Sequence, residues 1–221
     1  MANSADPIAA TFRNRLAAVI RWGDPEEAYQ AVLTAARSGI GSVEITSGTP
    51  RAFELIARLR AEVGDRCVVG AGTITDAALA ERAIASGAQY LVTPYLVPAV
   101  APVAHAAGLF LVMGATTPSE IAQAAAAGAG LVKVFPAAPM GGPAYIQAIR
   151  GPMPDVPLWV SGGVGIPDIA SYLRVGVRVV GLTNDLFRPE LLSAHDWDGI
   201  DRLCQQALAQ AGVQPAVALP A

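Results

Sequence analysis

A single ammonium stands in the apolar run Gly130-Leu131-Val132-Lys133-Val134-Phe135-Pro136. A short run rich in β-branched residues and bounded by glycine and proline predicts a parallel strand buried on both faces. Lysine is almost never buried unless its charge is paired or used. Burial disfavours the charged form and so favours the neutral amine, which attacks carbonyl carbon. Two structural roles compete with that reading: a side chain that reaches solvent at the strand end, or an internal salt bridge. Glu44, within the equally apolar Val43-Glu44-Ile45, supplies the partner for either the bridge or the chemistry. A carboxylate beside an amine moves the protons that imine formation and hydrolysis require.

Other chemistries find less support. His105 falls within an expected helix and His195 in the loop before the last one, so neither has a site position. Cys67 and Cys204 lie far apart in different expected elements and read as packing residues. No Cys/His/Asp cluster has metal-ligand spacing, so no metal or cofactor is expected. Ser161 follows Val160 without the glycine before the nucleophile that a hydrolase elbow needs. The chain of 221 residues is 53% hydrophobic and 15% charged, with net charge -3 and no basic stripe, so nucleic acid is not an expected partner. Mean hydropathy is +0.43, yet glycine, proline and charges interrupt every apolar run short of the roughly 20 residues of a spanning helix. No membrane partner is expected. The N-terminus lacks a charged-then-apolar secretory pattern, and a cytoplasmic location is expected.

The elements that must carry these residues alternate without a break in composition. Asp6-Pro7 with Ile8 and Phe12 opens a short amphipathic helix that closes one end of the domain. Strands are expected at 16–20, 42–46, 67–71, 90–93, 109–113, 131–135, 158–161 and 178–181. Helices are expected at 24–38, 50–63, 76–86, 98–107, 118–127, 143–149, 166–175 and 198–211, with Asp24-Pro25-Glu26-Glu27 the strongest start signal. Residues 212–221, with two prolines, read as a flexible C-terminal tail beyond a single domain, 1–211. Eight strand-then-helix units predict an α/β fold, a single (β/α)₈ barrel with a short N-terminal helix. An open doubly wound sheet is the alternative, but Arg21-Trp22-Gly23 after the first strand is no dinucleotide fingerprint.

Barrels build sites at the C-terminal ends of their strands. That rule collects Arg21, Glu44, Thr73, Pro94, Lys133, Gly162, Gly163, Thr183 and Asn184. The glycines of Gly70-Ala71-Gly72-Thr73 let backbone approach a ligand, and the Thr73 hydroxyl can donate to a carboxylate, although a plain tight turn explains them too. Gly162-Gly163, ahead of a helix expected to start near Ile166, suits an anion held by amides; a turn needing positive φ is the plain alternative.

Val43-Glu44-Ile45-Thr46, Val69-Gly70-Ala71-Gly72-Thr73, Val92-Thr93-Pro94, Val132-Lys133-Val134-Phe135-Pro136-Ala137 and Ser161-Gly162-Gly163-Val164 resemble, in order and spacing, the class I aldolases that cleave 2-keto-3-deoxy-6-phosphogluconate, its phosphogalactonate epimer and 4-hydroxy-2-oxoglutarate. The likeness covers roughly 16–211. It implies a metal-free homotrimeric barrel enzyme acting on a small 2-oxo acid, with Lys133 as Schiff-base residue and Glu44 as acid/base. It further implies that Thr73 serves the pyruvate end, that Arg21 is the family's arginine after the first strand, that Gly162-Gly163 serve the phosphate end, and that the products are pyruvate and an aldehyde such as glyceraldehyde 3-phosphate. Leu182-Thr183-Asn184-Asp185-Leu186-Phe187 is nearer the phosphogalactonate branch. Two departures stand out. Ser47-Gly48-Thr49 lacks the arginine that gluconate-type enzymes carry there, leaving Arg21 or Arg51 to replace it. Thr183-Asn184 stands where a Gly-Ser phosphate contact is usual, and the threonine side chain crowds that approach. The other readings of the same residues are a barrel enzyme handling sugar phosphates without an imine, such as an epimerase or synthase, and a non-catalytic barrel module.

Overall fold

The computed structural model describes residues 6–213. Its elements run α1 Pro7–Thr11, β1 Leu16–Ile20, α2 Pro25–Arg37, β2 Ser42–Thr46, α3 Ala52–Val63, β3 Val68–Gly72, α4 Ala77–Ala85, β4 Tyr90–Val92, α5 Val100–Ala106, β5 Phe110–Ala115, α6 Pro118–Ala126, β6 Leu131–Val134, α7 Gly142–Arg150, β7 Leu158–Val160, α8 Ile169–Arg174, β8 Val179–Leu182, α9 Pro189–Ser193 and α10 Trp197–Gln210. Every strand pairs in parallel with the next, and β8 returns to β1 with Leu16 opposite Val180, so the sheet closes. The expected (β/α)₈ barrel is the fold.

Alternation along each strand sorts side chains into two cores. Ala18, Val43, Ile45, Val69, Leu91, Met113, Val132, Val134, Val160 and Val180 join the helix-facing core. Ala17, Val19, Tyr90, Val92, Val112, Leu131, Trp159 and Val179 fill the barrel interior. Lys133 is two residues from inward Leu131, and Glu44 stands opposite inward Val19 in the register of β1 with β2. The pleat therefore aims both charged side chains into the barrel.

The N-terminal segment plugs the bottom. Phe12, 1% exposed, packs edge-on to Tyr90, Phe110 and Trp159 at centroid distances of 5.1, 5.6 and 5.3 Å. Burying such a ring contributes about 1.5–3 kcal/mol. Asp6 starts α1 by accepting from the amides of Ile8 and Ala9, and its carboxylate also pairs with Arg178. Helix starts follow their signals: Asp24 accepts from the amides of Glu26 and Glu27, and Thr117 with Glu120 forms a reciprocal cap.

Several boundaries differ from expectation. The helix expected from Pro50 starts at Ala52, because the chain after β2 turns back through Thr49 and Arg51 sits in the left-handed region at φ 58°. β3 and β5 run on through Gly72 and Ala115; Glu44 fills the space beside Gly72, and the backbone of Pro94 and Tyr95 that beside Gly114. The helix expected over 166–175 divides into a 3₁₀ turn, Ile166–Asp168, and α8. α9 was not anticipated. The expected tail lies, from 214 on, outside the described residues. Among the described residues no helix is long and apolar enough to cross a membrane.

Candidate active site

Glu44 on β2 and Lys133 on β6 approach from opposite sides of the barrel. Lys133 Nζ lies 3.6 Å from Glu44 Oε1, with the two residues 6% and 1% exposed. That distance is an ion pair too long for a hydrogen bond, and neither carboxylate oxygen has any hydrogen-bond partner among the described residues. A buried carboxylate without hydrogen bonds is rare in a finished structural network. Burial pushes the Glu44 carboxyl above the usual carboxylate range, opposed by the charge of Lys133 and, less, of Arg21. The ring of Phe135 stands 5.6 Å from Lys133 Nζ.

Space for the glutamate comes from Gly72. A side chain there would begin 1.9 Å from Glu44 Oε1 and 2.6 Å from its carboxyl carbon. Gly72→Ala must therefore displace the carboxylate or the strand. The expected result is a stability loss of about 1–3 kcal/mol and an activity loss of about 100-fold. Thermal unfolding and steady-state kinetics on one preparation check both.

The structure brings Arg21 and Thr73, from the loops after β1 and β3, into contact. Arg21 Nη2 donates to Thr73 Oγ1 at 2.8 Å. Thr73, a β-branched residue, holds φ 57°, a strained geometry of the kind that clusters at working sites. Ser47 Oγ donates to the Thr73 carbonyl at 2.8 Å and steadies the turn. Gly48 leaves room for the arginine, since a side chain there would begin 3.6 Å from Arg21 Nη1. Arg51 instead pairs with Glu54 at 2.9 Å and Glu26 at 3.8 Å on the outer helices, whereas the charge of Arg21 reaches Glu44. Pro94 follows β4, and its backbone packs where a side chain on Gly114 would begin, 2.5 Å away, beside Lys133 in the register of β5 with β6.

After β7, on the same C-terminal rim, Gly162 and Gly163 hold φ 89° and 74°, and among the described residues no acceptor takes either amide. Further along, the expectation fails in part. The amides that open the segment from Gly165 are already taken: Gly165 donates to Asp168 and Ile166 to Asp185. Sequence reasoning missed both acids, and Asp168, three residues beyond Gly165, was the readable one. Thr183 is half-buried, Asn184 is exposed, and the Thr183 carbonyl accepts from the amides of Leu186 and Phe187.

The histidines stand elsewhere: His105 bonds the Gly128 carbonyl, and His195 bonds Glu27 and stacks on Trp197. Cys67 and Cys204 are buried and unpaired, their thiols pushed up to about 12 by desolvation. Among the described residues no three His, Cys, Asp or Glu converge as a metal-ligand set.

This arrangement has known counterparts. A family model described as "Aldolase: KDPG and KHG aldolase" matches residues 8–203. The chain belongs to the KDPG and KHG aldolase family. It is a lyase. Within that family it is 36% identical over 175 residues to a probable 2-dehydro-3-deoxy-6-phosphogalactonate aldolase of Rhizobium meliloti, covering 79% of this chain and 82% of that protein. A KDPG aldolase from Legionella pneumophila, solved with pyruvate captured as a covalent carbinolamine, superposes with TM-score 0.82 at 26% identity, over 91% of this chain and 97% of that one. A native KDPGal structure gives 0.76 at 28% identity, over 88% and 96%.

Proposed function

We propose that this chain cleaves a 2-keto-3-deoxy sugar acid to pyruvate and an aldehyde through an imine on Lys133. The observation that carries the reading is the buried amine 3.6 Å from a carboxylate whose oxygens no hydrogen bond satisfies. A proton passing between the partners turns the ion pair into a neutral acid and a neutral amine. Nζ then adds to the C2 carbonyl of the substrate, forming a carbinolamine. Glu44 protonates the departing hydroxyl, and loss of water leaves an iminium. The Glu44 carboxylate, directly or through a water, takes the proton of the C4 hydroxyl. The C3–C4 electron pair moves into the enamine, the iminium nitrogen accepts charge, and the aldehyde leaves. Protonation at C3 and addition of water release pyruvate and restore the amine.

Arg21, held on Thr73, binds the substrate carboxylate, while Pro94 walls the pyruvate end. Gly162 and Gly163, with Thr183 and Asn184, face the far end. The relatives' names point to the 6-phosphates of the galactonate and gluconate series, whose cleavage gives glyceraldehyde 3-phosphate, as the first substrates to test. Pyruvate release followed by coupled reduction, across both epimers, tests the reading; no release from either by folded protein contradicts it.

Arg21→Leu is expected to raise KM for the 2-oxo acid about 10–100-fold, the worth of a charge-assisted hydrogen bond, with a smaller change in kcat. Arg51→Leu should leave both near wild type, and parallel kinetics on the two variants decide the matter. The same reading places the protein in the cytoplasm as a homotrimer. Tyr95, Phe135 and Met140, exposed on loops after β4 and β6, offer apolar surface for such contacts, and light scattering reports the mass.

A further inference from the structure

Arg21 has a long, flexible side chain on an exposed loop, yet its guanidinium reaches one defined partner, Thr73 Oγ1, at 2.8 Å. The means of holding it lies in the next residue. Arg21 and Trp22 follow β1 directly and their side chains part, the guanidinium to Thr73 and the half-buried indole onto the helix-facing core. The indole N–H of Trp22 donates to Glu27 Oε2 at 2.5 Å, and its backbone amide donates to Thr49 Oγ1 at 3.4 Å. Packing does not hold the turn that follows, since a side chain on Gly23 would meet nothing within 4 Å. The bonds of Trp22 are therefore what ties the loop after β1 to the body of the barrel.

Glu27 is built as a fixed acceptor. It stands in the first turn of α2, with its own amide capped by Asp24 at 2.9 Å. Its other oxygen, Oε1, lies 2.9 Å from His195 Nε2, and that imidazole stacks on Trp197 at the start of α10, with centroids 5.6 Å apart. Both carboxylate oxygens are thus engaged, one by each ring. The Glu27 side chain is 22% exposed and that of His195 62%, so the bond to the indole is the less screened of the two.

We propose that Trp22 and Glu27 are positioning residues for Arg21: the bond between indole and carboxylate fixes the loop after β1, keeps the guanidinium on Thr73, and so strengthens binding of the 2-oxo acid without touching it. The inference rests on the reading in which Arg21 binds the substrate carboxylate.

The test uses the full chain with pyruvate and borohydride, reading the pyruvate concentration that gives half-maximal adduct for wild type, Trp22→Phe, Arg21→Leu and the double variant. Phenylalanine keeps an aromatic ring on the core while removing the indole N–H. Trp22→Phe should raise the half-saturating concentration about fivefold to tenfold, part of the 10–100-fold, roughly, that Arg21→Leu costs, with the final yield of adduct unchanged. Added to Arg21→Leu, it should cost less than about twofold more, because residues acting through one group are not additive. Glu27→Leu should match Trp22→Phe. Glu27→Gln should stay within about twofold of wild type, since a carboxamide oxygen accepts the indole N–H and its NH₂ donates to the imidazole in the complementary tautomer. A Trp22→Phe value equal to wild type, or an equal rise with and without Arg21, would overturn the assignment. If Trp22→Phe does not fold, equal values for Glu27→Leu and Glu27→Gln overturn it on the same readout. The levels separate: an unmoved Arg21→Leu removes the role of Arg21 and the positioning with it, and no adduct on folded wild type removes the imine reading as well.

Discussion

Lys133→Met is expected to lower kcat by at least about 10⁴-fold, because the thioether has no nucleophile to offer and the electron sink at C2 is never built. The side chain fits the apolar setting of β6, so loss of activity is separable from loss of fold. Removing the amine also takes away the ion-pair partner of a 1% exposed carboxylate. Glu44 is left to protonate, since an unpaired buried charge is the costlier state. Circular dichroism and steady-state pyruvate release on the same sample check the claim; near-normal turnover by a folded variant would refute the role of Lys133.

Glu44→Gln is expected to lower kcat by about 10²–10⁴-fold, the span of general acid–base catalysis, while the lysine still forms its imine at a reduced rate. Its signature lies in pH dependence. Burial raises the Glu44 carboxyl above its ordinary 4.5, and only the ionised form removes the C4 hydroxyl proton. Activity of the wild type should therefore fall as pH drops through that raised value, with its acid limb displaced above 4.5. The limb belongs to the coupled pair and should vanish from the residual activity of the glutamine variant. The sign for stability follows from the same shift. A raised folded value means the neutral form is the better tolerated one, a contribution fully present below the ordinary value and lost as pH rises through the raised one. An unchanged acid limb in Glu44→Gln would remove the glutamate from the proton path.

The parts of this site that could be read from the chain are those written locally. Lys133 and Glu44 are legible because a charge inside an apolar strand has few explanations, and period-two alternation then fixes the face. The plug at Phe12 shows as an apolar spacing beside a helix cap. Arg21 could not be separated from Arg51 without the fold, since the choice turns on Gly48 and on the Thr73 hydroxyl, both distant in sequence. The bond of Asp185 to Ile166 is not legible locally, because it spans 19 residues and no local pattern announces it. α9 carried a readable signal in Pro189-Glu190 at its first turn, but its five residues fall below the length at which periodicity speaks. The strands run on to Gly72 and Ala115 because glycine inside this barrel is the room that Glu44 and the loop after β4 occupy, which only the fold shows.

The most direct measurement is borohydride reduction of the wild-type protein in the presence of pyruvate, followed by intact mass and peptide mapping. The account predicts one carboxyethyl group, formed from pyruvate with loss of the carbonyl oxygen as water and uptake of hydride, on the peptide containing Lys133. No adduct from folded protein, or an adduct confined to the N-terminal peptide, would contradict the imine at the centre of this account.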